Sequence, residues 1–181
     1  FPDDYFNGKS VLDIGAWDGF YSFYAEKQGA KSVTALDGYV WKNLTWGGKT
    51  GFDIAKGILQ SKVQDVTMDI MKATPERLGT FDLIIFAGVL YHLEEPYGAL
   101  KIIKNLLKPN SRLFIETYYS KLEPNKPIME FYPGNSLNND PSNFWGPNIQ
   151  CLTSMLEELD FNIDNVFTNI YGRLICYSHL E

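Results

Sequence analysis

The stretch "VLDIGAWDGFYS", residues 11–22, decides how the rest of the chain is read. Val11, Leu12 and Ile14 suit a buried strand that ends at Gly15, and Asp18-Gly19 then precede an aromatic helix. Strand, glycine turn and helix together form the unit that aims backbone N–H groups at a nucleotide. A dinucleotide loop needs Gly-x-Gly-x-x-Gly so that the backbone can approach a pyrophosphate. Here Trp17 stands at the second glycine position and Phe20 at the third, so close pyrophosphate approach is blocked. No Gly-Lys-Ser/Thr phosphate loop is present either. The expected cofactor is an adenosine compound without a phosphate at this turn, a description that S-adenosylmethionine (SAM) meets.

Outward from this stretch, strand-like and helix-like segments alternate, as they do in an α/β fold with a parallel sheet covered by helices. Strands are predicted at 10–14, 32–36, 63–67, 81–86 and 112–117, with 163–167 and 174–177 closing the sheet as a hairpin. Helices are predicted at 18–28, with Phe20, Phe23 and Tyr24 on one face, and at 51–62. A third begins around Pro96, with Ala99, Ile102, Ile103 and Leu106 as its buried stripe. A last helix is capped by Asn148, with Cys151, Leu152, Met155, Leu156 and Leu159 inward. Two segments break the alternation, 38–50 and 118–147. Both follow carboxyl ends of strands, where open α/β sheets bind ligands, and the second reads as a lid-like insertion within a single domain spanning 1–181.

Composition narrows the function. Asp and Glu outnumber Lys and Arg 22 to 16, for a net charge of -6, which argues against a nucleic-acid partner. The 12 Phe, 11 Tyr and 4 Trp exceed what a minimal core needs, so some of them are expected to line a pocket. Cys151 and Cys176 lack Cys-x-x-Cys spacing; no metal site or disulfide is expected, and the cytoplasm is the expected compartment. No membrane-length apolar run or signal peptide is visible, and a chain beginning at Phe1 is expected to lack some upstream sequence.

Four stretches in order, "VLDIGAWDGFYS", "VTALD", "DVTMDI" and "FDLIIFAGVLYHL", resemble the motifs of class I SAM-dependent methyltransferases. More narrowly, "DIGAWDG", "GVLYHLEEP" and "FWGPN" look like the subgroup related to tRNA wobble-uridine carboxymethyltransferases. The resemblance implies a Rossmann-like, seven-stranded, mostly parallel sheet of order 3-2-1-4-5-7-6 with helices on both faces. It also implies roles. Gly15 and Gly19 would let the backbone pass close to SAM, and Asp13 would orient that loop and face the methionine amino group. Asp37 would accept the ribose hydroxyls. Asp69 would accept from the adenine amino group, with Ile70 flanking the ring, while Ala87 and Gly88 would meet the methionine end. Trp17 departs from the superfamily pattern but matches the subgroup, and would add a wall to the pocket. The product would be S-adenosylhomocysteine. The bland alternatives are a solvated loop carboxylate for Asp37 and a helix cap for Asp69.

Methyl transfer from a sulfonium is an in-line displacement with an activated leaving group, so the protein chiefly aligns the acceptor and excludes water. A general base is needed only when the acceptor must lose a proton. His92 is the candidate base, or else it packs the turn before the Pro96 helix. Glu116 is a second candidate, or else it holds a structural partner. His179 is expected to lie at a frayed surface end. Tyr118, Tyr132, Trp145 and Asn148 are the candidate substrate contacts, although the aromatics of 118–147 would equally serve to anchor the loop. Trp41 and Trp46 present the same choice on the adenosine side.

The expected function is methyl transfer to an oxygen or nitrogen of a small molecule. One rival is uridine modification using carboxy-SAM, which needs a cation for the extra carboxylate; Arg77, Arg112 and Arg173 are not obviously near the motifs. The other rival is a SAM-binding protein without catalysis.

Overall fold

Val11, Leu12 and Ile14 are buried in strand β1 (Ser10–Ile14), as an apolar run at a strand position requires. The computed structural model describes residues 1–181. Its remaining strands are β2 (Ser32–Leu36), β3 (Gln64–Val66), β4 (Phe81–Ala87), β5 (Leu107–Tyr118), β6 (Met129–Phe131), β7 (Trp145–Pro147), β8 (Phe161–Thr168) and β9 (Arg173–Leu180). The helices are α1 (Phe20–Lys27), α2 (Thr50–Leu59), α3 (Pro75–Leu78), α4 (Pro96–Leu106) and α5 (Ile149–Glu157).

Seven strands form one sheet of order β3-β2-β1-β4-β5-β9-β8. β2 pairs in parallel with β1 and β3, whereas β9 is antiparallel to β5 and β8. This is the expected Rossmann-like order. The last two strands carry later numbers because β6 and β7 pair as a separate two-stranded ribbon inside 118–147, where no strand is predicted.

The chain separates into two compact units. The first comprises residues 1–85 and 105–108, and the second comprises 86–104 and 109–181. In the first, Leu12, Leu36, Phe52, Leu83 and Ile84 are fully buried. Ser10 ties β1 to β4 there: its backbone N–H and its hydroxyl both donate to Asp82 Oδ2, at 2.8 and 2.6 Å, and Lys108 Nζ reaches Asp82 Oδ1 at 2.8 Å. Of the aromatic face expected on α1, only Phe23 is buried. Ser22, Phe23 and Ala25 are buried while Phe20 is 72% exposed, because the Ser22 hydroxyl is drawn inward to Asp13.

In the second unit, Ala99, Leu100, Ile103 and Leu106 form the buried stripe of α4, and Ile102 is only half-buried. Helix α5 begins at Asn148, whose side-chain oxygen accepts from Cys151 N–H at 2.8 Å and satisfies an amide the helix itself leaves unpaired. Cys151, Leu152, Leu156 and Leu159 face inward as expected, with Met155 half-buried. No helix is long and apolar enough to cross a membrane.

Candidate functional site

The cofactor candidates of the first unit lie where β1 and β2 end. Gly15 (φ +76°), Trp17 (φ +47°) and Gly19 (φ +87°) all adopt left-handed backbone conformations. That region costs a side-chain-bearing residue about 1–2 kcal/mol, so Trp17 needs other groups to hold it. Its N–H donates to Asp37 Oδ2 at 3.2 Å, and its carbonyl accepts from Trp41 Nε1 at 2.7 Å. The N–H groups of Gly15 and Ala16 donate to the Leu36 carbonyl at 2.8 and 3.1 Å. Glycine is required at position 19 by packing as well as by backbone, since a Cβ there would lie 2.4 Å from the Phe23 ring and 2.8 Å from Phe52.

Asp37 is a buried hub, only 4% exposed. Its Oδ1 accepts from the N–H groups of Tyr39, Val40 and Trp41 at 3.0, 2.8 and 3.4 Å, and its Oδ2 accepts from Trp17. The solvated-loop alternative therefore does not describe it. Asp13 is 2% exposed and accepts the Ser22 hydroxyl at 2.6 Å. Burial outweighs the Ser22 hydrogen bonds and pushes the Asp13 carboxyl up to about 6, with the charge of Asp37 adding to the rise.

Asp69 is exposed, and it caps a short 3₁₀ turn (Ile70–Lys72) by accepting from Met71 N–H at 2.9 Å. Ile70 is buried in that turn. Gly38 carries weight that the sequence reading did not give it. A Cβ there would meet the main-chain nitrogen of Asp69 at 2.4 Å, so only glycine lets the loops after β2 and β3 pass so closely. The signal was available in the Asp-Gly pair that follows β2. Trp41 is buried as an anchor, whereas Trp17 (50% exposed) and Trp46 (42% exposed) meet edge to face at 6.3 Å.

The second unit holds the candidates for chemistry. Gly88 (φ +73°) follows Ala87 at the end of β4, and its N–H donates to the Glu116 carbonyl at 2.9 Å. The Glu116 carboxylate forms a two-point pair with Arg173: Nε donates to Oε1, and an Nη donates to Oε2 at 2.9 Å. The guanidinium also lies 4.6 Å from the centre of the Tyr91 ring. The structural-partner alternative thus describes Glu116, and Arg173 stands beside the fourth motif, contrary to the sequence expectation. Fifty-seven residues separate the pair, so spacing gave no hint of it.

His92 lies in a 3₁₀ turn (Leu90–His92), with its ring 4.1 Å from that of Tyr91. Its Nδ1 sits 2.8 Å from the Ser142 carbonyl oxygen. Burial pulls the imidazole below its ordinary value; the Ser142 hydrogen bond and the charge of Asp140 oppose this, and Arg173 reinforces it. His179 lies in β9 and pairs with Asp164 at 2.7 Å, so it does not sit at a frayed end.

Tyr118 and Tyr132 line a cavity of about 460 Å³ together with Tyr119, Lys121, Glu130 and Arg173. Their rings meet edge to face at 5.5 Å. The Tyr132 hydroxyl donates to Glu130 Oε2 at 2.6 Å, and the Ser120 hydroxyl donates to the same oxygen. Burial and the Glu130 hydrogen bond raise the Tyr132 phenol well above its ordinary range, so it remains a donor. Trp145 and Asn148 are placed otherwise. Trp145 packs on Phe131 across the ribbon, with ring centres 5.0 Å apart. Asn148 is 1% exposed; its oxygen accepts from Ile128 and Cys151, and its nitrogen donates to the carbonyls of Leu122, Glu123 and Lys126. That amide has no polar capacity left for a substrate. No group of three or more His, Cys, Asp or Glu side chains comes together to hold a metal ion.

Comparison with known proteins sets this geometry in a family. A tRNA U34 carboxymethyltransferase of Campylobacter concisus is 26% identical over 154 residues, covering 85% of this chain and 50% of that protein. One from Pseudomonas aeruginosa is 33% identical over 110 residues, 61% of this chain and 32% of the relative. The chain thus spans at most about half the length of the curated relatives it matches. Among solved structures, a SAM-dependent methyltransferase from Mesorhizobium loti superposes with TM-score 0.70 at 16% identity, covering 99% of this chain and 93% of that one. A 1,6-didemethyltoxoflavin-N1-methyltransferase from Burkholderia thailandensis, solved with S-adenosylhomocysteine, gives TM-score 0.71 at 18% identity over 96% and 72% of the two chains. These likenesses share the fold. The methyltransferase-domain profile matches residues 1–166, and on that match the chain belongs to the methyltransferase-domain family.

Proposed function

We propose that the protein transfers a methyl group from SAM to a small-molecule acceptor. The observation that carries the reading is the pair of buried carboxylates Asp13 and Asp37, at successive strand ends, neither in an ion pair with a basic side chain. Buried charge without a counter-cation is costly, and a cofactor bearing ammonium and sulfonium charges supplies one. Bound there, SAM would provide an electrophilic methyl group on a leaving group that departs as a neutral thioether.

The chain's own residues do the rest. Gly15, Trp17 and Gly19 shape the loop, and Asp13 faces the cationic end of the cofactor. Asp37 keeps its Oδ2 side for the ribose while its Oδ1 holds the loop after β2. Asp69 and Ile70 flank the adenine. The cavity at Tyr118 and Tyr132 receives the acceptor, where the Tyr132 phenol and Glu130 orient it and Lys121 favours an acceptor carrying negative charge. His92 takes the proton when the acceptor has one to lose. Glu116 acts through Arg173 and does not serve as the base.

A second reading is carboxymethyl transfer to a tRNA uridine. The names of the relatives suggest it, and the Arg173 guanidinium beside Tyr91 is the cation such a donor needs. Two facts favour the first reading: Arg173 is already neutralised by Glu116, and the net charge of -6 opposes RNA binding. Incubation with methyl-labelled SAM, and separately with carboxy-SAM, against a metabolite extract and bulk tRNA decides between them. Label moving from SAM into the small-molecule fraction supports methyl transfer. Product appearing in tRNA only when carboxy-SAM is supplied supports the alternative.

A further inference from the structure

The His92 ring belongs to a short hydrogen-bonded chain that reaches fifty residues along the sequence. Nδ1 lies 2.8 Å from the Ser142 carbonyl oxygen and 3.1 Å from the Ser142 hydroxyl oxygen. A carbonyl oxygen only accepts, so Nδ1 must carry the proton. The Ser142 hydroxyl donates to Asp140 Oδ1 at 2.7 Å, and the Ser142 N–H donates to the same oxygen at 2.9 Å. With its own hydrogen directed at Asp140, the hydroxyl can only accept from His92. Both acceptors around Nδ1 therefore demand one tautomer, with the lone pair of the neutral ring on Nε2.

From this geometry we infer that Asp140 and Ser142 are positioning residues that fix His92 as the Nδ1–H tautomer and present Nε2 as the proton acceptor of the reaction. The arrangement follows the logic of a base oriented by a third group, with Asp140 acting through a serine instead of touching the ring. Both positioning residues belong to the 118–147 insertion, so the segment that brings the acceptor residues also readies the base. The charged groups facing the ring are Asp140 and Arg173, with the Tyr91 phenol alongside; Asp140 favours the imidazolium that forms on proton uptake, and Arg173 opposes it. A base so arranged serves an acceptor that must give up a proton, such as a hydroxyl, a phenol or an N–H. A thioether or tertiary amine would not use it.

The use of this base rests on the methyltransferase reading, but its tautomer can be measured without any acceptor. The chain has 2 His residues, so His179→Gln leaves His92 as the single imidazole for long-range ¹H–¹⁵N NMR. The neutral ring should show a protonated Nδ1 and a bare Nε2, the reverse of the form that free imidazole side chains favour in water. In Ser142→Ala and Asp140→Asn the Nε2–H form should grow. The ring's titration should move to lower pH in Asp140→Asn, a shift that loss of a purely structural contact would not produce. An Nε2–H ring in the His179→Gln protein overturns the inference whether or not the other variants fold. Variants that match that protein in tautomer and titration overturn it as well. Calorimetric SAM binding stands apart, so failure of the cofactor reading would be recognised separately.

Discussion

The indole Nε1 of Trp41 donates to the main-chain carbonyl of Trp17 at 2.7 Å. That bond joins the loop after β2 to the loop after β1, and Asp37 doubles the link through the Trp17 N–H. An aromatic residue in a left-handed conformation is thus held through both its N–H and its carbonyl. Trp41→Phe keeps a buried ring but removes the donor. Urea unfolding should show a loss of about 0.5–1.5 kcal/mol, accompanied by weaker SAM binding. Unchanged SAM affinity would mean that the loop keeps its shape without the indole.

Asp37→Ala should be harsher than loss of a ligand contact alone. Four backbone N–H groups point at this carboxylate, and removing it leaves buried donors unpaired at about 1–3 kcal/mol each before relaxation. Stability and SAM affinity should therefore fall together, with Asp37→Asn milder in both. A fully stable Asp37→Ala protein would contradict the hub role.

Asp13 sets a pH dependence of both stability and binding. Its folded value near 6 lies above the ordinary carboxylate value, so the group contributes stability that is complete below about 4 and lost as pH rises through 6. Asp13→Asn keeps an acceptor for Ser22 and should raise the melting temperature at pH 8 but not at pH 4. SAM affinity runs the other way, because the carboxylate attracts the cofactor's positive charge. It should weaken as pH falls through 6 in the wild type and stay flat in Asp13→Asn. Calorimetry across pH 5–8 checks this, and a flat wild-type profile would remove Asp13 from the cofactor site.

Asn148→Ala should unfold more easily by about 2 kcal/mol or more, since it removes a helix cap together with three hydrogen bonds to loop carbonyls. SAM affinity should not change. Tyr132→Phe, in contrast, should leave both stability and SAM affinity nearly intact and reduce methyl transfer, measured as a fall in kcat/KM for the acceptor. Equal losses of SAM affinity and turnover would make Tyr132 part of the scaffold.

The first compact unit was legible because its signals are local. Val11, Leu12 and Ile14 are apolar residues of one short strand, Gly15 and Gly19 sit at short fixed offsets, and Asp37 directly follows β2. The Asn148 cap was equally visible, as one side chain at the start of one helix. What escaped notice depends on residues distant in sequence. Glu116 with Arg173, and His92 with Ser142, are pairs that only the folded backbone brings together. The β6–β7 ribbon also escaped, since three-residue strands are too short to show a period of two. The shared face of Phe20, Phe23 and Tyr24 does not by itself say which side of α1 is buried; the Ser22 hydroxyl bonds Asp13 on the buried side, and Phe20 stays exposed.

The loop at 15–19 is expected to serve SAM and not a dinucleotide, and titration calorimetry distinguishes the two. SAM and S-adenosylhomocysteine should bind with micromolar-range affinity, on the order of -8 kcal/mol, while NAD gives no heat at the same concentrations. Tight NAD binding with silent SAM would contradict the account.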